Sequence, residues 1–176
     1  MKSALTLGLL CLTSFAVSAA APGESFKVGA FTFEAPEGWT KVTPSSPMRN
    51  AQLEVARGQE KAEVTFFHFG GGSGSAADNV ARWFGQFAGS EATRKTETLE
   101  VGGAKITFAT AEGTFSSGMP GAATTPMNGY ALCGAIIENP GGDVYVKMTG
   151  PAAVVKASAE ALKKMVTDAV KRPAQT

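Results

Sequence analysis

The sequence predicts an α+β fold: an antiparallel β-sheet of about six strands flanked by helices, an α/β sandwich in a single domain. Three observations predict it. Apolar and polar residues alternate in several short stretches, the period of a half-buried strand. Glycine-rich turns at Gly102-Gly103 and Asn139-Pro140-Gly141-Gly142 join neighbouring stretches as hairpins, which makes their pairing antiparallel. Two other stretches, one mid-chain and one late, repeat their apolar residues at helical spacing.

Taken in order, Phe26 to Ala35 sets Phe31, Phe33 and Ala35 on one face and reads as a strand. Pro36-Glu37-Gly38 is a turn, because proline presets the first corner and glycine accepts positive φ. Trp39 to Thr43 resumes extended chain until Pro44 to Pro47 interrupts it. Gln52 to Arg57 alternates Leu53 and Val55 with polar neighbours, and Gly58-Gln59-Glu60 turns the chain. Ala62 to Phe69 carries Phe66 on one face and Phe67 and Phe69 on the other, as a central strand covered on both sides does.

Gly70 to Gly74 breaks the pattern. Ser75 is an N-cap with Asp78 as its capping-box partner. Val80, Trp83, Phe84 and Phe87 then predict a helix over about 76–88, stopped by Gly89. Thr96 to Val101 and Lys105 to Phe115 flank the first hairpin turn. Ser116 to Asn128 contains Gly118, Pro120, Gly121 and Pro126 and has no period. It reads as a loop at 116–128, of a length that goes with function or disorder. Gly129 to Glu138 and Asp143 to Thr149 flank the second hairpin turn. Pro151 is expected at the first position of a closing helix with the stripe Val155, Ala159, Leu162, Val166 and Ala169. Lys171-Arg172 complements the negative end of that helix, and Pro173 stops it.

Residues 1–20 read as a secretory signal peptide. Lys2 supplies the charge, Leu5 to Val17 the short apolar core, and Val17-Ser18-Ala19-Ala20-Ala21 the small residues at the cut, placed after Ala19 or Ala20. Residues 21–176 then form one domain, and roughly 155 residues bury on the order of 70% of their unfolded surface. No later apolar stretch reaches the roughly 20 residues of a membrane span. Leu9-Leu10 precede Cys11 where a lipidation site needs a small residue, so the expectation is a released periplasmic or secreted bacterial protein, not a lipoprotein.

The formal net charge is +1, and the basic and acidic residues are interspersed. Nucleic-acid binding, which needs a basic stripe with interleaved aromatics, is excluded. Cys133, left alone once Cys11 is removed, has no disulfide partner, and its neighbours Leu132, Gly134, Ala135, Ile136 and Ile137 make it a buried small hydrophobe. His68 is the only histidine and reads as structural at the sheet rim. Zinc would draw more histidines and cysteines than the one of each present, and copper(I) would need Met119 and Met127 brought to His68. The pairs Glu34 with Glu37 and Glu60 with Glu63 lie at strand ends and turns, where carboxylates are solvated. Gly72-Ser73-Gly74-Ser75-Ala76-Ala77 fits a dinucleotide fingerprint, but hairpin pairing contradicts the parallel sheet that fingerprint requires. No catalytic residue, metal or cofactor is therefore expected, and the chain is read as no enzyme.

Phe31-Thr32-Phe33-Glu34-Ala35-Pro36-Glu37-Gly38-Trp39 resembles the opening of PsbP-like domains, where an extended pair leads into Pro-x-Gly-Trp. The similarity runs through the Phe-rich strand and the Trp-bearing helix to Tyr145-Val146-Lys147-Met148-Thr149-Gly150-Pro151, a last strand entering the closing helix. The family includes the extrinsic oxygen-evolving protein of photosystem II, a Ran-binding nuclear import factor and exported bacterial proteins. The resemblance implies the sandwich fold and docking onto something larger. It transfers no functional residue, and the 116–128 loop is a local elaboration.

The functional expectation is an exported, soluble binding or accessory module that docks on an envelope protein or a small ligand. Two helices are few to cover both faces of such a sheet, and an uncovered face turns aromatic residues into a contact surface. The expected contacts are Met119, Pro120, Met127 and Asn128 in the loop, with Trp39. The alternative is a periplasmic enzyme or a small-ligand or metal carrier with a cleft near 70–74 and 116–128.

Overall fold

The computed structural model describes residues 23–71, 73–89, 93–117 and 125–172. The predicted signal peptide, Gly72, Met119 and Pro120 lie outside the described residues. The α+β class and the antiparallel pairing hold, but the strands are more numerous than about six. Ten strands form two sheets among the described residues.

The first difference is near the start. Phe26 to Ala35 is not one strand but a hairpin, β1 (Ser25–Val28) and β2 (Phe31–Glu34). The chain reverses at Gly29, whose φ of 56° suits glycine. This hairpin is a separate two-stranded sheet. Phe26 and Phe33 pack against Phe66, with ring centroids 4.9 and 5.2 Å from that ring.

The second sheet holds β3 (Trp39–Val42), β4 (Ala51–Arg57), β5 (Glu60–Phe69), β6 (Phe87–Ala88), β7 (Lys95–Val101), β8 (Ala104–Phe115), β9 (Met127–Glu138) and β10 (Asp143–Pro151). Its order is β3-β4-β5-β10-β9-β8-β6, and β7 also pairs with β8. Strand β5 is central, as expected, between β4 and β10.

Helix α1 (Ala76–Gly85) begins at the predicted capping box: Ser75 Oγ accepts from the Asp78 amide, and the Asp78 carboxylate accepts from the Ser75 amide. It ends earlier than expected. Gln86 caps it, and Phe87 leaves the helical pattern to join the sheet as β6, opposite Phe115. Burial drives that exit, because Phe87 is 1% exposed with its ring 5.0 Å from that of Phe115.

Helix α2 (Ala152–Lys171) buries Val154, Val155, Leu162, Met165, Val166, Ala169 and Val170. Pro151 sits at the cap position rather than the first helical one, because its ψ of 133° continues the strand. No helix among the described residues is long and apolar enough to cross a membrane.

The two faces of the large sheet are covered unequally. One face carries α2 together with the β1–β2 hairpin, and there the main core forms around Phe33, Phe66, Phe108, Met148 and Leu162. The other face carries α1, only ten residues long, over Ala109, Ile136 and Tyr145. Beside α1 that face holds a smaller apolar cluster of Phe87, Ala111, Phe115 and Leu132, and next to it polar and charged side chains.

Candidate functional site

Strand alternation builds the most distinctive site on the α1 face. In β10, Val144, Val146 and Met148 enter the main core, so Tyr145, Lys147 and Thr149 point the other way. Tyr145 is covered by α1. Lys147 lies just past the helix, paired in register with Thr65 on β5 and Gly134 on β9. A cation thus sits mid-strand in the centre of the sheet, half-buried, on the floor of a groove of about 430 Å³.

One wall of this groove is apolar, made by Phe115, Met127 and Tyr130, with Phe67 on the floor. The rings of Phe115 and Tyr130 stack at 6.0 Å. The other wall is charged. Arg49 Nη1 lies 2.6 Å from Glu63 Oε2, and Gln52 Nε2 donates to the same oxygen at 2.9 Å. Lys61 lies at the rim, with its ammonium 2.9 Å from Glu54.

Lys147 makes no ion pair among the described residues. Its ammonium donates to Gln86 Oε1 and stands 5.5 Å from the centre of the Phe115 ring. Burial pushes the ammonium down to about 8, with Glu63 favouring the charge and Arg49 opposing it. A desolvated cation with a neutral acceptor and an aromatic face is electrostatically incomplete.

The expected contact residues are only partly gathered here. Met127 opens β9 and lines the groove, so the tail of the predicted loop is strand. Asn128 is exposed, and its Oδ1 accepts from Thr114 Oγ1 at 2.9 Å. Trp39 is elsewhere: it lies on β3 at the far edge, half-buried against the main core, on the opposite face from Met127.

The hollow at 70–74 is separate. It is lined by Phe69, Gly71, Ser73, Asn79 and Arg82 and shares none of these with the Lys147 groove. The positive end of α1 there is already occupied by the Asp78 carboxylate, held below its usual range by its Ser75 hydrogen bonds. A pyrophosphate would meet that carboxylate, so the described part of the fingerprint, Ser73 to Ala77, is a capped entry into a helix.

The remaining candidates are apart from one another. His68 faces the Asp143 carbonyl at 3.3 Å and abuts Gly29, on the face away from Met127. Cys133 is buried under α2, and burial pushes its thiol up to about 11. Glu34 pairs with Arg172 at 2.7 Å and Glu63 with Arg49. No group of three or more His, Cys, Asp or Glu that could hold a metal ion occurs among the described residues.

No family model and no curated protein matches this chain. Solved structures do. The solution structure of cyanobacterial PsbP (CyanoP) from Synechocystis sp. PCC 6803 aligns with a TM-score of 0.52 at 13% identity, over 88% of this chain and 95% of that one. The fold is PsbP-like. A crystal structure of a protein of unknown function from Pseudomonas aeruginosa aligns with a TM-score of 0.45 at 16% identity, over 85% of this chain and 97% of that one. At such identity the PsbP-like likeness concerns the fold, and the groove rests on this chain's own residues.

Proposed function

We propose that this chain is an exported accessory module that binds rather than catalyses, and that its contact surface is the part of the large sheet α1 leaves uncovered. The observation that carries the reading is the unequal cover of the two faces. One face is closed by a 20-residue helix and a hairpin. The other has a ten-residue helix, and beside it Phe67, Met127 and Tyr130 stay half-buried around a groove. Half-exposed aromatic residues beside a charged rim are the composition of a contact surface. The PsbP-like fold fits the reading, and so does a leader at 1–20 that would carry the domain out of the cytoplasm.

The test uses the full chain in an export-competent bacterium. A photo-crosslinking amino acid is placed at Tyr130, and as a control at Glu100, exposed on β7. Light-dependent adducts to a distinct envelope component are expected at Tyr130 and not at Glu100. Absence of any adduct at Tyr130 would sink the reading. N-terminal sequencing of the exported product is expected to begin at Ala20 or Ala21.

A further inference from the structure

We propose that the groove holds a small organic carboxylate with an apolar tail, its carboxylate set against the Lys147 ammonium and its tail against Phe67, Phe115 and Tyr130. The inference rests on the reading of this face as a contact surface and names the class of ligand it takes.

Charge comes first. Four charged groups face the groove: Arg49 from the segment before β4, Lys61 and Glu63 from β5, and Lys147 from β10. Tyr130 from β9 is the remaining titratable neighbour, and the residue capping α1 is the neutral Gln86. Glu63, the one carboxylate of the set, is engaged by Arg49 and Gln52. Lys61 has Glu54. Lys147 is left with a carbonyl oxygen and a ring face, and an ammonium has three donors to fill.

Shape and walls come second. About 430 Å³ lies within the range of roughly 300–1,000 Å³ that takes a small ligand, and the aromatic wall would strip water from whatever enters. An anion there would meet a cation already desolvated, where charge-assisted hydrogen bonds are strong. A bare inorganic anion would forgo the wall, and a neutral apolar ligand would leave the ammonium incomplete. A carboxylate with an apolar tail satisfies both.

The test is isothermal titration of the folded protein with 4-phenylbutyrate, and with 4-phenylbutanol as its uncharged analogue. The acid is expected to bind about tenfold tighter or better. In Lys147→Met that preference disappears while the circular dichroism spectrum and thermal transition persist. At about pH 8.5 the wild type takes up a fraction of a proton on binding the acid, read from buffers of different ionisation enthalpy, and Lys147→Met does not. Equal affinity for acid and alcohol, or binding of neither at millimolar concentration, overturns the proposal. So does an acid preference that survives in Lys147→Met. None of these outcomes decides whether the face meets an envelope protein, which the Tyr130 crosslink reads separately.

Discussion

The six-membered ring of Trp83 rests on the backbone of Gly134: a Cβ there would stand 2.4 Å from Cζ3 and 2.9 Å from Cε3. The glycine is what lets α1 settle on the sheet. Gly134→Ala should therefore push Trp83 and the helix outward. The expected loss is about 1–3 kcal/mol in chemical denaturation, the range for overpacking. A red shift of tryptophan fluorescence should accompany it, and an unchanged spectrum and midpoint would contradict the packing.

Lys147 should give the protein an unusual dependence on pH. In the unfolded chain its amine titrates near 10.5, in the folded one at about 8. Below about 8 both states hold the proton and the folded state carries the whole penalty of desolvation. Between 8 and 10.5 the unfolded state binds more protons, so stability rises with pH. Cys133 works in the opposite sense. Its thiol titrates at 9.0 unfolded and about 11 folded, so stability falls with pH above 9. Urea midpoints should thus climb from about pH 8 to 9 and then level off. Lys147→Met should lose the climb and exceed the wild type at neutral pH by on the order of 2 kcal/mol, the shift discounted for solvent at the groove mouth.

Cys133 should be inert while the protein is folded. It is 1% exposed beneath α2, and its thiol is held protonated. An aromatic disulfide reagent should modify it only as fast as the domain opens, with reactivity appearing in urea alongside the unfolding transition. Labelling within seconds in native buffer would show that α2 does not seal this part of the core.

Ser75→Ala should weaken α1 at its start. The change removes the hydroxyl that accepts from the Asp78 amide. A loss of about 1 kcal/mol is expected, and Ser75→Gly should lose less. Because α1 shelters Tyr145 and Ile136, amide exchange across that patch should quicken in Ser75→Ala while the α2 face stays protected. Uniform quickening of both faces would mean that α1 is not a separate unit of stability.

Much of the fold was legible because its signals are local. Glycine pairs mark the turn at 102–103, and Ser75 with Asp78 marks the start of a helix within four residues. The hairpin within 26–35 did leave a trace, because the apolar alternation changes phase from Phe26 and Val28 to Phe31 and Phe33. But Gly29-Ala30 is a slight break, and the segment reads as one strand when only the second half is followed. The groove was hidden for a different reason. A lysine in an alternating strand normally faces water, and Lys147 is desolvated only because β10 lies between β5 and β9, with its β5 partner Thr65 some eighty positions away in sequence. The trace left in sequence was a charge inside Val144-Tyr145-Val146-Lys147-Met148, an otherwise apolar central strand. Trp39 and Met127 could not be told apart by type, and only the topology sends them to opposite faces.

The hairpin at Ser25–Glu34 and the helix at Ala152–Lys171 close the same face of the sheet. A ribosome makes the hairpin well before the helix. Until α2 has emerged, the hairpin and the strands beside it lack the helix that packs on them, and a nascent chain cannot lock its main core. The architecture postpones its own completion. Under the export proposed above, that delay would keep the chain open for translocation, and truncation before residue 152 should leave a chain that holdase chaperones retain.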